Sequence, residues 1–150
     1  PLAAGFLLAE DVVRDAAEIA AIEQCDDVDD DARGNVLNVT VVGEAAARLA
    51  QRLGERRQVI ATAACGLCGR RTIASLQTRA ASVRGAWTVP AEVVLGLPAA
   101  LRATQAAFDA TGGIHASALC DLHGRVRDMA EDVGRHNALD KIVGRALLSG

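Results

Sequence analysis

Apolar positions along the first half of the chain change period twice. Leu2, Ala3, Phe6, Leu7 and Val13 lie close to one stripe at helical spacing and predict a first helix over about residues 2–13. Ala16 to Gln24 fits helix or strand equally. Beyond an acidic run, Val36-Leu37-Asn38-Val39-Thr40-Val41-Val42 is short and rich in β-branched side chains, which suit a pleated surface, so it predicts a strand ended by Gly43. From Glu44 to Leu53, Ala, Leu and Arg return to helical spacing, and Gly54 closes the helix.

In the second half, Gln58 to Ala63 reads as a strand that runs into a cysteine-bearing loop, with a helix over Thr72 to Thr78 after it. Proline lacks the donor that a first helical position leaves unpaired, so Pro90 and Pro98 predict the starts of two helices, Ala91 to Leu95 and Ala99 to Ala110. Thr111-Gly112-Gly113 stops the second. His115 to Leu122 and Arg125 to Ala130, joined through His123-Gly124, predict a hairpin. A final helix follows over about Arg135 to Leu148. No internal repeat, linker or low-complexity tract interrupts this order, and 150 residues suffice for one core, so residues 1–150 are read as one α/β domain.

Composition narrows the function classes. With 51% hydrophobic and 23% charged residues the chain can afford a packed core, which excludes disorder. Only 2% of residues are aromatic, too few for a base-stacking platform, and the net charge of -3 gives no basic surface, so nucleic acid is not an expected partner. Every basic residue but Lys141 is arginine, which leaves room for a local phosphate pocket. Asp26-Asp27-Val28-Asp29-Asp30-Asp31 lacks the Gly and closing Glu of a calcium loop and reads as a solvated loop. No stretch is apolar enough to span a membrane, and the N-terminal residues have no basic n-region, so a cytoplasmic, reducing setting is expected. There a Cys-x-x-Cys is catalytic or metal-binding more often than structural.

Three constellations carry chemistry. In "TAACGLCGRR", Thr62 to Arg71, glycine follows both Cys65 and Cys68, freeing the backbone to expose sulfur, while Arg70 and Arg71 favour thiolate over thiol. A zinc half-site, a redox pair and a sulfur nucleophile all fit this spacing. A closed zinc site needs further ligands, and Cys25 and Cys120 are isolated, read as a loop thiol and a strand core residue; His115 or His136 would have to complete it. "FDATGGIHASAL", Phe108 to Leu119, sets Gly112-Gly113 before His115, a helix stop that also lets backbone approach a ligand beside an imidazole. In "EDVGRHNALDKIVG", Glu131 to Gly144, His136, Asp140 and Lys141 share a helix face, with Arg135 and Asn137 on the first turn and Glu131 and Asp132 ahead of it. Capping and an i, i+4 ion pair account for any one of these groups, less readily for all seven.

In this order and spacing, the three motifs and the opening "PLAAGFLLAEDVV" resemble the formate dehydrogenase accessory sulfurtransferase (FdhD) family over nearly the whole chain. The resemblance implies a cytidine-deaminase-like fold, a mixed sheet flanked by helices. It also implies that Cys65 accepts persulfide sulfur from a cysteine desulfurase, with Cys68 as assistant. The sulfur then passes to the bis-guanine-dinucleotide molybdopterin cofactor of formate dehydrogenase. Gly112, Gly113, His115, Arg135, His136, Asn137, Asp140 and Lys141 become candidate cofactor-cleft residues, with Arg135 and Lys141 as phosphate partners, and a homodimer is expected. Ser117 stands where the deaminase His-x-Glu has its glutamate and no proline precedes the Cys-x-x-Cys, so neither deamination nor bound zinc is expected. The family's first strands, and its later Ser-Gly-Arg and Ser-Ala-Pro-Thr segments, have no counterpart in residues 1–150, which read as a partial domain. The alternatives are a zinc module on Cys65, Cys68, His115 and His136, and a non-catalytic chaperone for the cofactor.

Overall fold

The computed structural model describes residues 1–55 and 85–150. The expected strand at residues 58–63, the cysteine loop and the expected helix at residues 72–78 lie outside the described residues.

The first helix, α1 (Leu2–Ala9), is shorter than its apolar stripe. Asp11 turns the chain at φ 55°, a left-handed conformation that Asp tolerates better than a bulky residue. The Val12 and Val13 amides then both donate to the Leu7 carbonyl, at 2.9 and 3.2 Å. Val12 and Val13 thereby leave the helix and enter the core with Ala45, against Leu7, Leu8, Ile19, Val41, Leu49 and Leu147.

The ambiguous segment after Asp15 divides into a 3-10 turn at Ala16–Glu18 and a strand, β1 (Ile19–Gln24), paired antiparallel with β2 (Leu37–Val41). The acidic loop between them leaves its aspartates exposed, as expected of a solvated segment. On α2 (Glu44–Glu55), the Arg48 guanidinium donates to the Val12 carbonyl at 2.9 Å and to the Glu18 carboxylate at 2.5 Å. Chiefly through the Arg48 hydrogen bond, the Glu18 carboxyl is held below its ordinary range.

Helix α3 (Ala91–Arg102) corrects the expectation of two helices split by Pro98: that proline lies inside one continuous helix. It removes the donor for the Val94 carbonyl, a loss water can offset because Val94 is exposed. The break falls later, at residues 103–105, before α4 (Ala106–Thr111). Arg102 bridges it, 2.5 Å from Asp109 and 4.7 Å above the Phe108 ring centroid.

The expected hairpin is present as β3 (His115–Cys120) and β4 (Val126–Asp132). Its turn is organised by Asp121, whose carboxylate accepts the His123 and Arg125 amides at 2.9 and 3.0 Å, while Gly124 takes φ 79°. The final helix, α5 (Arg135–Ser149), packs across α1 and along the hairpin. The α/β character read from the sequence is thus present. The described strands pair as two separate antiparallel ladders, without the parallel pairing that a mixed sheet also contains.

Candidate functional site

The site grows from the end of β4. Successive strand residues face opposite sides, so neighbouring Glu131 and Asp132 serve different helices. The Glu131 carboxylate accepts the Ala107 amide at 2.9 Å and the Phe108 amide at 2.8 Å, supplying acceptors for donors that the start of α4 would otherwise leave open. The Asp132 carboxylate accepts the Gly134 amide at 2.8 Å and the Asn137 side-chain amide at 3.0 Å, and pairs with the Lys141 ammonium at 2.6 Å. Burial is the largest single influence on Asp132 and opposes its charge. The hydrogen bonds from Lys141, Gly134 and Asn137 together outweigh it, and the carboxyl sits below its ordinary range.

Two of the three sequence motifs meet here. At the end of α4, Gly112 adopts φ 66°, and its amide donates to the Phe108 carbonyl at 2.7 Å, a left-handed stop that favours glycine. The chain then enters β3 with His115 directly opposite Asp132. The Gly112-Gly113-His115 turn is therefore held beside the start of α5, where Arg135 is exposed and His136 and Asn137 are half-buried. His115, Gly112 and Gly113 are exposed as well. The third motif, with Cys65, Cys68, Arg70 and Arg71, lies outside the described residues.

The helix face expected to carry His136, Asp140 and Lys141 divides its work. Lys141 directs its ammonium to Asp132 and, at 3.0 Å, to the Glu131 carbonyl. One turn on, Arg145 does the same to Asp128 and the Met129 carbonyl, at 2.9 and 2.8 Å, so α5 is fastened along β4 by two cations at i and i+4. His136 has a buried Nδ1 without a hydrogen-bond partner among the described residues. Burial pushes the Asp140 carboxyl above its ordinary range; His136 partly offsets this, and Glu10, just past the end of α1, adds to it. No three His, Cys, Asp or Glu side chains converge on a point suited to a metal among the described residues.

Sequence reasoning placed Glu131 and Asp132 ahead of the helix but missed their partners. Asp132 was legible as a capping group before the Gly134-Arg135 helix start. The reach of Glu131 to Ala107 and Phe108, 24 and 23 residues away, has no local signature.

The geometry defines a class: an α/β chain whose glycine turn and polar helix start are pinned to one strand end, with His115 and Arg135 exposed beside it. The FdhD/NarQ family profile matches residues 1–150, and the chain belongs to that family. Among curated relatives, the sulfur carrier protein FdhD of Streptomyces avermitilis is 41% identical over 157 residues, covering 99% of this chain and 54% of the relative. The sulfur carrier protein FdhD of Thermoplasma acidophilum is 40% identical over 150 residues, covering 99% of this chain and 50% of the relative. The chain thus spans about half the length of the curated relatives it matches. No helix among the described residues is long and apolar enough to cross a membrane.

Proposed function

We propose that this chain forms the sulfur-handling part of a carrier that takes persulfide sulfur from a cysteine desulfurase and delivers it to the bis-guanine-dinucleotide molybdopterin cofactor of formate dehydrogenase. The relatives' shared description as sulfur carriers supports the general role. The observation that carries the site assignment is the His115–Asp132 pairing, which sets the Gly112-Gly113 turn beside the start of α5.

In the loading step the Cys65 thiolate, favoured by Arg70 and Arg71, attacks the terminal sulfur of the donor persulfide. A new S–S bond forms on Cys65, the donor S–S bond breaks, and the desulfurase cysteine leaves as thiolate, with no net redox change. For delivery, the Cys68 thiolate attacks the inner sulfur of the Cys65 persulfide. Hydrosulfide is released to the molybdenum of the bound substrate, a Cys65–Cys68 disulfide remains, and a cellular dithiol reduces it. The two cysteines supply the two electrons that the released sulfur gains.

In this reading the glycine turn and the start of α5 form a cradle that receives the cofactor's guanine dinucleotide arm. Exposed Arg135 offers a fork of donors to phosphate, and the glycine turn admits the ligand close to backbone amides. Gly112, Gly113, His115, His136, Asn137 and Asp140 are the further residues assigned to it. Lys141 faces it with whatever donor Asp132 and the Glu131 carbonyl leave over, since an ammonium has three. Two chains in a homodimer would offer a cradle to each dinucleotide arm.

Incubating the intact protein with a cysteine desulfurase and cysteine, then weighing it, tests the assignment. A gain of one sulfur atom that vanishes in Cys65→Ala is expected. A wild-type protein that gains none overturns the carrier role, and near-stoichiometric zinc in the purified protein would favour the zinc module.

A further inference from the structure

We propose that Glu131 is a positioning residue that fixes the Gly112-Gly113-His115 turn against the start of α5. The ligand used to test this rests on the carrier reading above; the role itself rests on geometry.

Helix α4 has six residues, too few to persist alone. Its own N-cap residue, Gln105, makes no side-chain hydrogen bond to it. Its first turn is instead held by the Glu131 carboxylate, one oxygen on the Ala107 amide and the other on the Phe108 amide. Beyond Phe108 the chain passes through Gly112 and Gly113 and re-enters the structure in β3, where Ala116 is the ladder partner of Glu131. One residue therefore borders both ends of the segment Asp109–His115, bonded through its side chain at the start and lying opposite Ala116 in the ladder just past the end. Its carbonyl also accepts the Lys141 ammonium, so the same peptide fastens α5. The glycine turn and the helix start are placed relative to each other through Glu131, although it need not touch a ligand.

A carboxylate suits the task because two diverging amides each require an acceptor oxygen. Glu131→Gln keeps the shape and one carbonyl oxygen, and Glu131→Ala removes both acceptors. The test uses the intact protein as wild type, Glu131→Gln and Glu131→Ala, well below each unfolding midpoint. Guanosine diphosphate is the probe, its affinity is read by calorimetry, and sulfur loading on Cys65 is weighed in parallel.

Loading is expected to be equal in all three proteins. Affinity for the nucleotide is expected to fall about tenfold in Glu131→Ala, because the competent turn is populated only fractionally, and by less in Glu131→Gln. A purely structural role lowers the midpoint and leaves the affinity of the folded protein unchanged. Equal affinity in wild type and Glu131→Ala, or in wild type and Glu131→Gln where the alanine variant does not fold, overturns the positioning role. A wild type that loads sulfur but does not bind the nucleotide overturns it too and leaves sulfur loading intact, whereas a wild type that loads no sulfur overturns the carrier reading beneath it.

Discussion

Gly5 of α1 and Gly144 of α5 meet backbone to backbone. A Cβ built on Gly144 would lie 2.7 Å from the Gly5 nitrogen, and one on Gly5 would lie 2.7 Å from the Asp140 carbonyl carbon. Neither obstacle is a side chain that can rotate away. Ala4, next to Gly5, is fully buried as well, and the two glycines let the helix bearing Arg135, His136 and Asn137 settle onto α1.

Gly144→Ala is therefore expected to destabilise the fold by about 1–3 kcal/mol or more, the range for overpacking a filled interior. Urea unfolding of the variant beside wild type measures it, and an unchanged midpoint would show that the two helices are not in this register. An alanine on exposed Gly96 of α3, where nothing lies near the new methyl, is expected to be neutral or mildly stabilising.

Asp132→Asn removes a charge that three groups satisfy together, and the expected cost at neutral pH is about 1–3 kcal/mol. The sign of its pH dependence follows from the lowered folded-state pKa. The unfolded carboxyl titrates near 3.8, so the stabilisation from Asp132 is complete above that value and is lost as pH falls from there through the lower folded value. The stability gap between wild type and variant should close in acid. A gap that persists in strong acid would mean that the charge is not its source.

Asp140 behaves in the opposite sense. Its folded-state pKa is raised, mainly by burial, so the unfolded chain ionises first and stability falls as pH climbs from 3.8 through the higher folded value. Asp140→Asn is expected to melt higher than wild type at neutral pH and to match it below the ordinary carboxyl range. If Asp140 also serves the cofactor cradle, the gain in stability comes with weaker nucleotide affinity. A melting series from acid to neutral pH decides the first point and calorimetry the second.

Cys68→Ala is expected to separate loading from delivery. Cys65 should still gain one sulfur atom from the desulfurase, but hydrosulfide release under single-turnover conditions should drop by at least about tenfold, since no neighbouring thiol remains to attack the inner sulfur. Trapping the released sulfide measures this. Wild-type release from the variant would assign the attack on the Cys65 persulfide to an external thiol.

Much of the local structure was legible from period alone. The strand after the acidic loop, the helix from Glu44, the hairpin after Gly113 and the last helix lie where the spacing put them, because each is specified by short-range alternation and its own turn residues. The first helix ended early because Val12 and Val13 gain more from the core than from continuing its stripe, and Asp11 accepts the left-handed turn this requires. Pro98 misled because a proline can also sit inside a helix whose freed carbonyl faces water.

The sequence by itself determined most of the described elements and the resemblance that the family match bears out, since both depend on residues near one another in the chain. Only the tertiary structure decided who partners whom. Lys141 turns to Asp132 and the Glu131 carbonyl, Arg145 to Asp128, and Glu131 to the amides of a helix more than twenty residues earlier. The physical reason is that a carboxylate or ammonium takes the best-placed partner the fold brings within about 3 Å, and that placement is set by strand register and helix crossing rather than by local period.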